Sequence, residues 1–164
     1  MSLIDLDSML DATLANVEAK PDYVTPPTGV AMVSIAKVAL EQAERFVKDS
    51  QGNKTEQKEP FVRIRMTRSI AEYLEYADDK AVPVAPNSMY SDTFTYDEDG
   101  LGYLKRDAAM ILACDVEELN DTPLRELFSV LEDCEPKQCI INTSTRKHGD
   151  NEYTNTTTRV VAEQ

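Results

Sequence analysis

Residues 61–70, FVRIRMTRSI, constrain the chain more tightly than any other stretch. Val62, Ile64 and Met66 alternate with Phe61, Arg63 and Arg65, and an extended strand is the conformation that sends alternate side chains to opposite faces. One face is apolar and needs a core. The other carries an aromatic ring and two guanidiniums. The remaining elements must cover the first face and leave the second to be explained.

Those elements follow from pattern. Residues 30–40, VAMVSIAKVAL, are rich in β-branched side chains and read as a strand. Residues 48–59 are polar with one glycine and read as a loop, and residues 76–88, with two prolines, as another. Residues 89–96, MYSDTFTY, alternate again, with Tyr90, Phe94 and Tyr96 on one face that is expected to belong to the core. Asp99-Gly100-Leu101-Gly102 is expected to break the chain. Leu104, Ala108, Ile111 and Leu112 then recur at helical spacing over residues 103–113. Thr122-Pro123 opens a second helix striped with Leu124, Leu127, Phe128 and Leu131. Residues 138–147 and 152–161 are threonine-rich strands around a four-residue turn at 148–151.

Residues 2–19 are expected to form an amphipathic helix, capped by Ser2 and striped by Leu3, Leu6, Leu10, Leu14 and Val17, which Lys20-Pro21 ends. Two uses of the stripe stay open: docking on the chain's own core, or contact with a partner or a second copy in a homodimer. Residues 20–28 hold three prolines and read as a linker or the lead into a strand. The organisation is therefore an N-terminal helix and Pro-rich linker over 1–28 and a single domain over 29–164. The fold class is mainly β with α. Its element order, with helices between the third and fourth strands, is that of a five-stranded oligonucleotide/oligosaccharide-binding (OB) barrel. At 164 residues a compact fold of this mass would expose about 8,000 Å².

Composition narrows the chemistry. The single histidine, His148, lies in the predicted turn, away from any nucleophile it could activate. The three cysteines, Cys114, Cys134 and Cys139, lack zinc-site spacing and suggest reduced thiols in a cytoplasm. Five glycines supply no phosphate-binding loop. The acidic run Asp97-Glu98-Asp99 reads as a solvated turn, with a metal-dependent enzyme the weaker alternative. No cofactor, metal or catalytic residue is expected. Acids at the N-terminus where a secretory signal carries lysines argue against a targeting segment, and no stretch is apolar enough for a membrane span.

Thirty acidic residues against 17 basic ones leave a net charge of −13, which excludes bulk attraction to nucleic acid. The acids are segregated, however, into the N-terminal segment and residues 97–135. The strands are left near neutral or basic. Phe61, Arg63 and Arg65, with Arg68 three residues on, combine cations for phosphates with a flat ring for a base. Arg146, Lys147 and Tyr153 on the last hairpin repeat the combination. A different class of function also fits the charge: an acidic protein that imitates a phosphate backbone and inhibits or adapts a host enzyme.

The segments LIDLDSMLDATL, TPPTGVAMVSIAKV, PFVRIRMTRSI, SMYSDTFTYDEDGLGYLKRD and RKHGDNEYTNTTTRVV, in that order, resemble phage-encoded OB-fold single-stranded DNA-binding proteins. The resemblance implies a non-enzymatic protein of phage DNA replication or recombination, working in the cytoplasm of an infected bacterial host. It would coat single-stranded DNA through Phe61, Arg63 and Arg65 with Arg146, Lys147 and Tyr153. Many such proteins recruit replication or host partners through an acidic tail. Here the acidic N-terminal helix is the expected recruiting element.

Overall fold

The computed structural model describes residues 5–15 and 22–161. Two strands set the frame. β1 (Gly29–Lys48) and β2 (Lys54–Tyr76) form one long antiparallel hairpin. β3 (Ser88–Thr95) pairs with β2 over Arg63–Ile70, and β4 (Lys137–His148) pairs with β1 over Gly29–Val33. β5 (Asn151–Val160) returns along β4. The result is a five-stranded antiparallel sheet in the order β3-β2-β1-β4-β5. It is an open sheet, because β3 and β5 share no ladder. Their side chains nonetheless meet: Tyr90 on β3 and Thr158 on β5 share a 2.6 Å hydrogen bond.

Residues opposite one another in an antiparallel ladder share a face. Ala31, Val33, Ile35 and Val38 of β1, Ile64, Met66 and Ile70 of β2, Tyr90 and Phe94 of β3 and Cys139 and Ile141 of β4 form the buried inner face. Tyr90 and Phe94 thus join the core as expected, while Tyr96 stays half exposed. At the N-terminus, helix α1 spans only Leu6–Leu10 and is capped by Asp5 rather than Ser2. α2 (Glu98–Leu112) and α3 (Leu124–Glu132), joined through a 3-10 turn (Val116–Leu119), cover one half of the inner face with Leu104, Ala108, Ile111, Leu127 and Leu131. A β-bulge between Ile35 and Lys37 frees the Val38 N–H, which donates to the Glu132 carboxylate of α3 at 2.9 Å.

Several expectations need correction. The polar stretch 48–59 is mostly strand. Only residues 49–53 turn, around Gly52 at φ 85° and an Asp49 carboxylate accepting from the Gln51 and Asn53 N–H groups. Backbone pairing carries the hairpin past the point where apolar side chains run out. β4 and β5 likewise continue to a two-residue turn, 149–150, with Gly149 at φ 65°. These projections help raise the exposed surface to 12536 Å², well above the compact expectation of about 8,000 Å².

Gly100 does not break the chain. Asp97 caps α2 by accepting from the Gly100 N–H at 2.7 Å, so the acidic run is a helix start. Gly100 is needed because a Cβ there would lie 1.9 Å from the Thr95 carbonyl oxygen.

Among the described residues of the N-terminal stripe, Leu6, Leu10 and Leu14 are exposed and do not dock on the chain's own core. Ser2, Leu3, Val17, Lys20 and Pro21 lie outside the described residues. Residues 20–28 read as a linker or the lead into a strand; the described part, 22–28, leads into β1 and is tied to the sheet. Tyr23 bridges Met89 in parallel, Pro26 is buried, and the Thr28 hydroxyl donates to the Thr143 carbonyl at 3.1 Å.

Gly100→Ala tests the helix–sheet junction. In an ordinary helix the change stabilises; here it should destabilise by about 1–3 kcal/mol in urea unfolding, because α2 must move off β3.

Candidate nucleic-acid interface

The outer face of the sheet, turned away from α2 and α3, carries the odd-numbered residues of the middle of β2. Phe61 stands opposite Ala43, Arg63 between Glu41 and Thr95, and Arg65 between Ala39 and Thr93. Small neighbours leave the long side chains standing above the sheet. The guanidiniums of Arg45 and Arg63 lie 5.0 and 5.9 Å from the Phe61 ring centroid. The predicted trio is therefore one cluster.

Two residues join the cluster that sequence reasoning passed over. Arg45 reaches Phe61 from β1, a register visible only once the hairpin is known to continue past residue 40. Tyr23 shares the outer face through its bridge to Met89, which stands opposite Ser69. Its signal was present as an aromatic beside the prolines, but the prolines read as a linker.

Two carboxylates organise the cations: Glu59 accepts from Arg45 Nε at 3.0 Å, and Glu41 holds the other two. Glu41 accepts from Arg65 Nη2 at 2.9 Å and from Arg63 Nε. These bonds, Arg65's first, hold the Glu41 carboxyl down at about 2. A phosphate oxygen arriving here would take over hydrogen bonds that Glu41 now receives.

Arg68 is not part of this surface. It is 2% exposed and stands opposite Ile35 and Tyr90 on the inner face. The period of two already placed it with Ile64, Met66 and Ile70, since β2 runs straight through to Tyr76 and does not turn at residue 68. Its Nε donates to the Asp92 carboxylate at 2.5 Å. Asp107 on α2 feels the same guanidinium, although burial still pushes its carboxyl up. Arg68 is a structural ion between sheet and helix.

The last hairpin splits its residues. Arg146 and Tyr153 face each other across the ladder on the outer face, with Tyr153 52% exposed. Lys147 pairs with Glu152 on the other face, beyond a ladder of Thr143 with Thr156 and Thr145 with Thr154. Arg146 and Tyr153 share a face with Phe61 but lie at the opposite end of the sheet, roughly 60 Å away along the strands. The structure makes two clusters of the predicted site, not one.

The helical side is net acidic: Glu98, Asp99, Asp107, Glu117, Glu118, Glu126 and Glu132 outnumber Lys105, Arg106 and Arg125. Among the described residues no group of three or more His, Cys, Asp or Glu side chains could hold a metal ion, and no helix is long and apolar enough to cross a membrane.

Two measurements separate the arginines. Arg68→Met should cost about 3–5 kcal/mol of stability by stranding the Asp92 carboxylate, while the Arg63→Ala/Arg65→Ala pair should cost less than about 1 kcal/mol. A carboxyl held below its unfolded value stabilises the fold above about pH 4.5 and loses that contribution as pH falls towards 2. Glu41→Gln should therefore flatten the stability profile in that window, with no effect near neutrality that depends on pH. No family model, curated protein or solved structure matches the chain.

Proposed function

We propose that the chain is a non-enzymatic single-stranded DNA-binding protein built on an OB-like barrel, of the kind that serves phage DNA replication or recombination in the bacterial cytoplasm. The observation that carries this reading is the outer face of β2: an aromatic ring flanked by two guanidiniums, with a third beside them, on the side of the sheet away from the acidic helices. Cations set the backbone and a ring stacks a base, and stacking contributes about 1–3 kcal/mol per base without selecting sequence. The acidic layer behind the sheet repels duplex that approaches from that side.

Fold and face agree with each other. The strand order, and the approach of β3 to β5 through Tyr90 and Thr158, fit a partly open five-stranded barrel. Such barrels bind on the outer face of strands two and three, between the hairpins joining strands one to two and four to five. Here that face carries Phe61, Arg63 and Arg65, and the second hairpin carries Arg146 and Tyr153. The hydroxyls of Ser91, Thr93 and Thr95 lie on the same face of β3 beside the arginines.

Fluorescence anisotropy of a labelled oligonucleotide, single-stranded and then duplex, tests the reading. Single strand should bind more tightly than duplex and weaken as salt rises. Arg63→Ala/Arg65→Ala should weaken binding about tenfold and lower the salt slope by about 0.7 for each phosphate the arginines neutralise. Glu41→Gln should tighten binding severalfold by removing the carboxylate that competes for both arginines. Absence of binding at low salt would overturn the reading and turn attention to the acidic helical layer as a surface for a host protein.

A further inference from the structure

The β1–β2 hairpin outruns its neighbours. β4 leaves β1 at Val33 and β3 leaves β2 at Arg63, so the hairpin continues as a two-stranded arm with both faces and both edges free. Phe61 lies on the outer face of this arm. Phe46 lies on the other, opposite Lys58 and in phase with Val38 and Ile64. It is 44% exposed, and the Lys58 and Lys54 ammoniums lie 5.1 and 5.8 Å from its ring centroid. Each face of the arm therefore presents one phenyl ring with two cations against it.

A two-stranded ribbon gains little from an exposed ring that packs on nothing. The pairing of that ring with two ammoniums repeats, in lysine, what Arg45 and Arg63 do for Phe61 on the far side. The buried core cluster beneath the helices ends at Val38 and Ile64, short of the arm; Glu44, two residues from Phe46, shares its strand face, and Glu56 lies between Lys54 and Lys58 on β2.

We infer that Phe46 is a second base-stacking platform and that single-stranded nucleic acid engages both faces of the arm, passing around its free edge. This rests on the function proposed above. Lys54 and Lys58 contact the backbone beside the base on Phe46, as Arg45 and Arg63 do beside Phe61. Binding on two faces also needs no large cationic surface, which suits a chain of net charge −13.

The chain contains no tryptophan, so Phe46→Trp and Phe61→Trp each install a single indole reporter in the full-length protein. Both are titrated with an oligothymidine of about 30 nucleotides, long enough to span more than one face, and binding is followed in parallel by anisotropy. Quenching of both indoles at the same protein-to-DNA ratio is the expected result. Quenching of the Phe61→Trp reporter alone would overturn the two-faced arm and leave the proposed function standing. No quenching of either, with no anisotropy change, would overturn the proposed function itself. Phe46→Ala should weaken binding about tenfold, in the range one stacked base contributes, and Lys54→Gln/Lys58→Gln should lower the salt slope. An unchanged affinity and slope in both would remove Phe46 from the site.

Discussion

The ladder between β1 and β2 is the interaction on which the rest of the molecule depends. β3, β4 and α3 are all placed by pairing with, or packing on, one of its two strands, and β5 follows through β4. Its register decides which side chains are inside. Where it shifts, at the bulge between Ile35 and Lys37, a backbone N–H is released and taken by Glu132 of α3, so an irregularity of the sheet becomes the anchor of a helix. Past Val33 and Arg63 the same ladder runs on without neighbouring strands, and backbone bonds with cross-strand side-chain pairs such as Arg45–Glu59 extend the arm.

Much of this was legible in local pattern. The alternation at residues 61–66 placed Phe61, Arg63 and Arg65 on one face and Val62, Ile64 and Met66 on the other, and the ladder agrees, but Val62 lies beyond the helices and is exposed. The helical stripes of Leu104, Ala108, Ile111, Leu127 and Leu131 pack as their spacing implied. What was not legible was long-range. A polar segment forms strand when its partner is already held by a neighbouring ladder, which no property of residues 48–59 alone records. The period of two extended to Arg68, but an expected strand end hid it. Gly100 reads as a breaker unless one knows that the Thr95 carbonyl will lie against it. The proline-rich segment 22–28 could not announce that it would bridge β3 and β4.

Arginine serves two unrelated purposes within six residues. Arg63 and Arg65 share one carboxylate at a half-exposed surface, where an incoming anion can exchange with it at small cost. Arg68 is desolvated and committed to Asp92, where any exchange would strand a buried charge. Strand parity alone separates the two roles. A one-residue slip of β2 would send the outer-face cations into the core and the structural cation to the surface, so the register that builds the core also guards the outer face.

The two edges of the sheet meet through Tyr90 and Thr158 rather than through a backbone ladder. That contact is a seam. A laddered closure must break many bonds together to open, whereas here the direct tie is one side-chain bond worth about 0.5–1.5 kcal/mol, beside the apolar packing of Val160 and the 22–28 segment that bridges β3 and β4. A change in the curl of the sheet would therefore load this seam before it broke the β1–β2 ladder. Hydrogen exchange would show this as fast amides along β3 and β5 beside slow ones in the central pair. A surface that flexes about a fixed spine can follow a flexible polymer, whose path changes from one segment to the next, without any part of it unfolding.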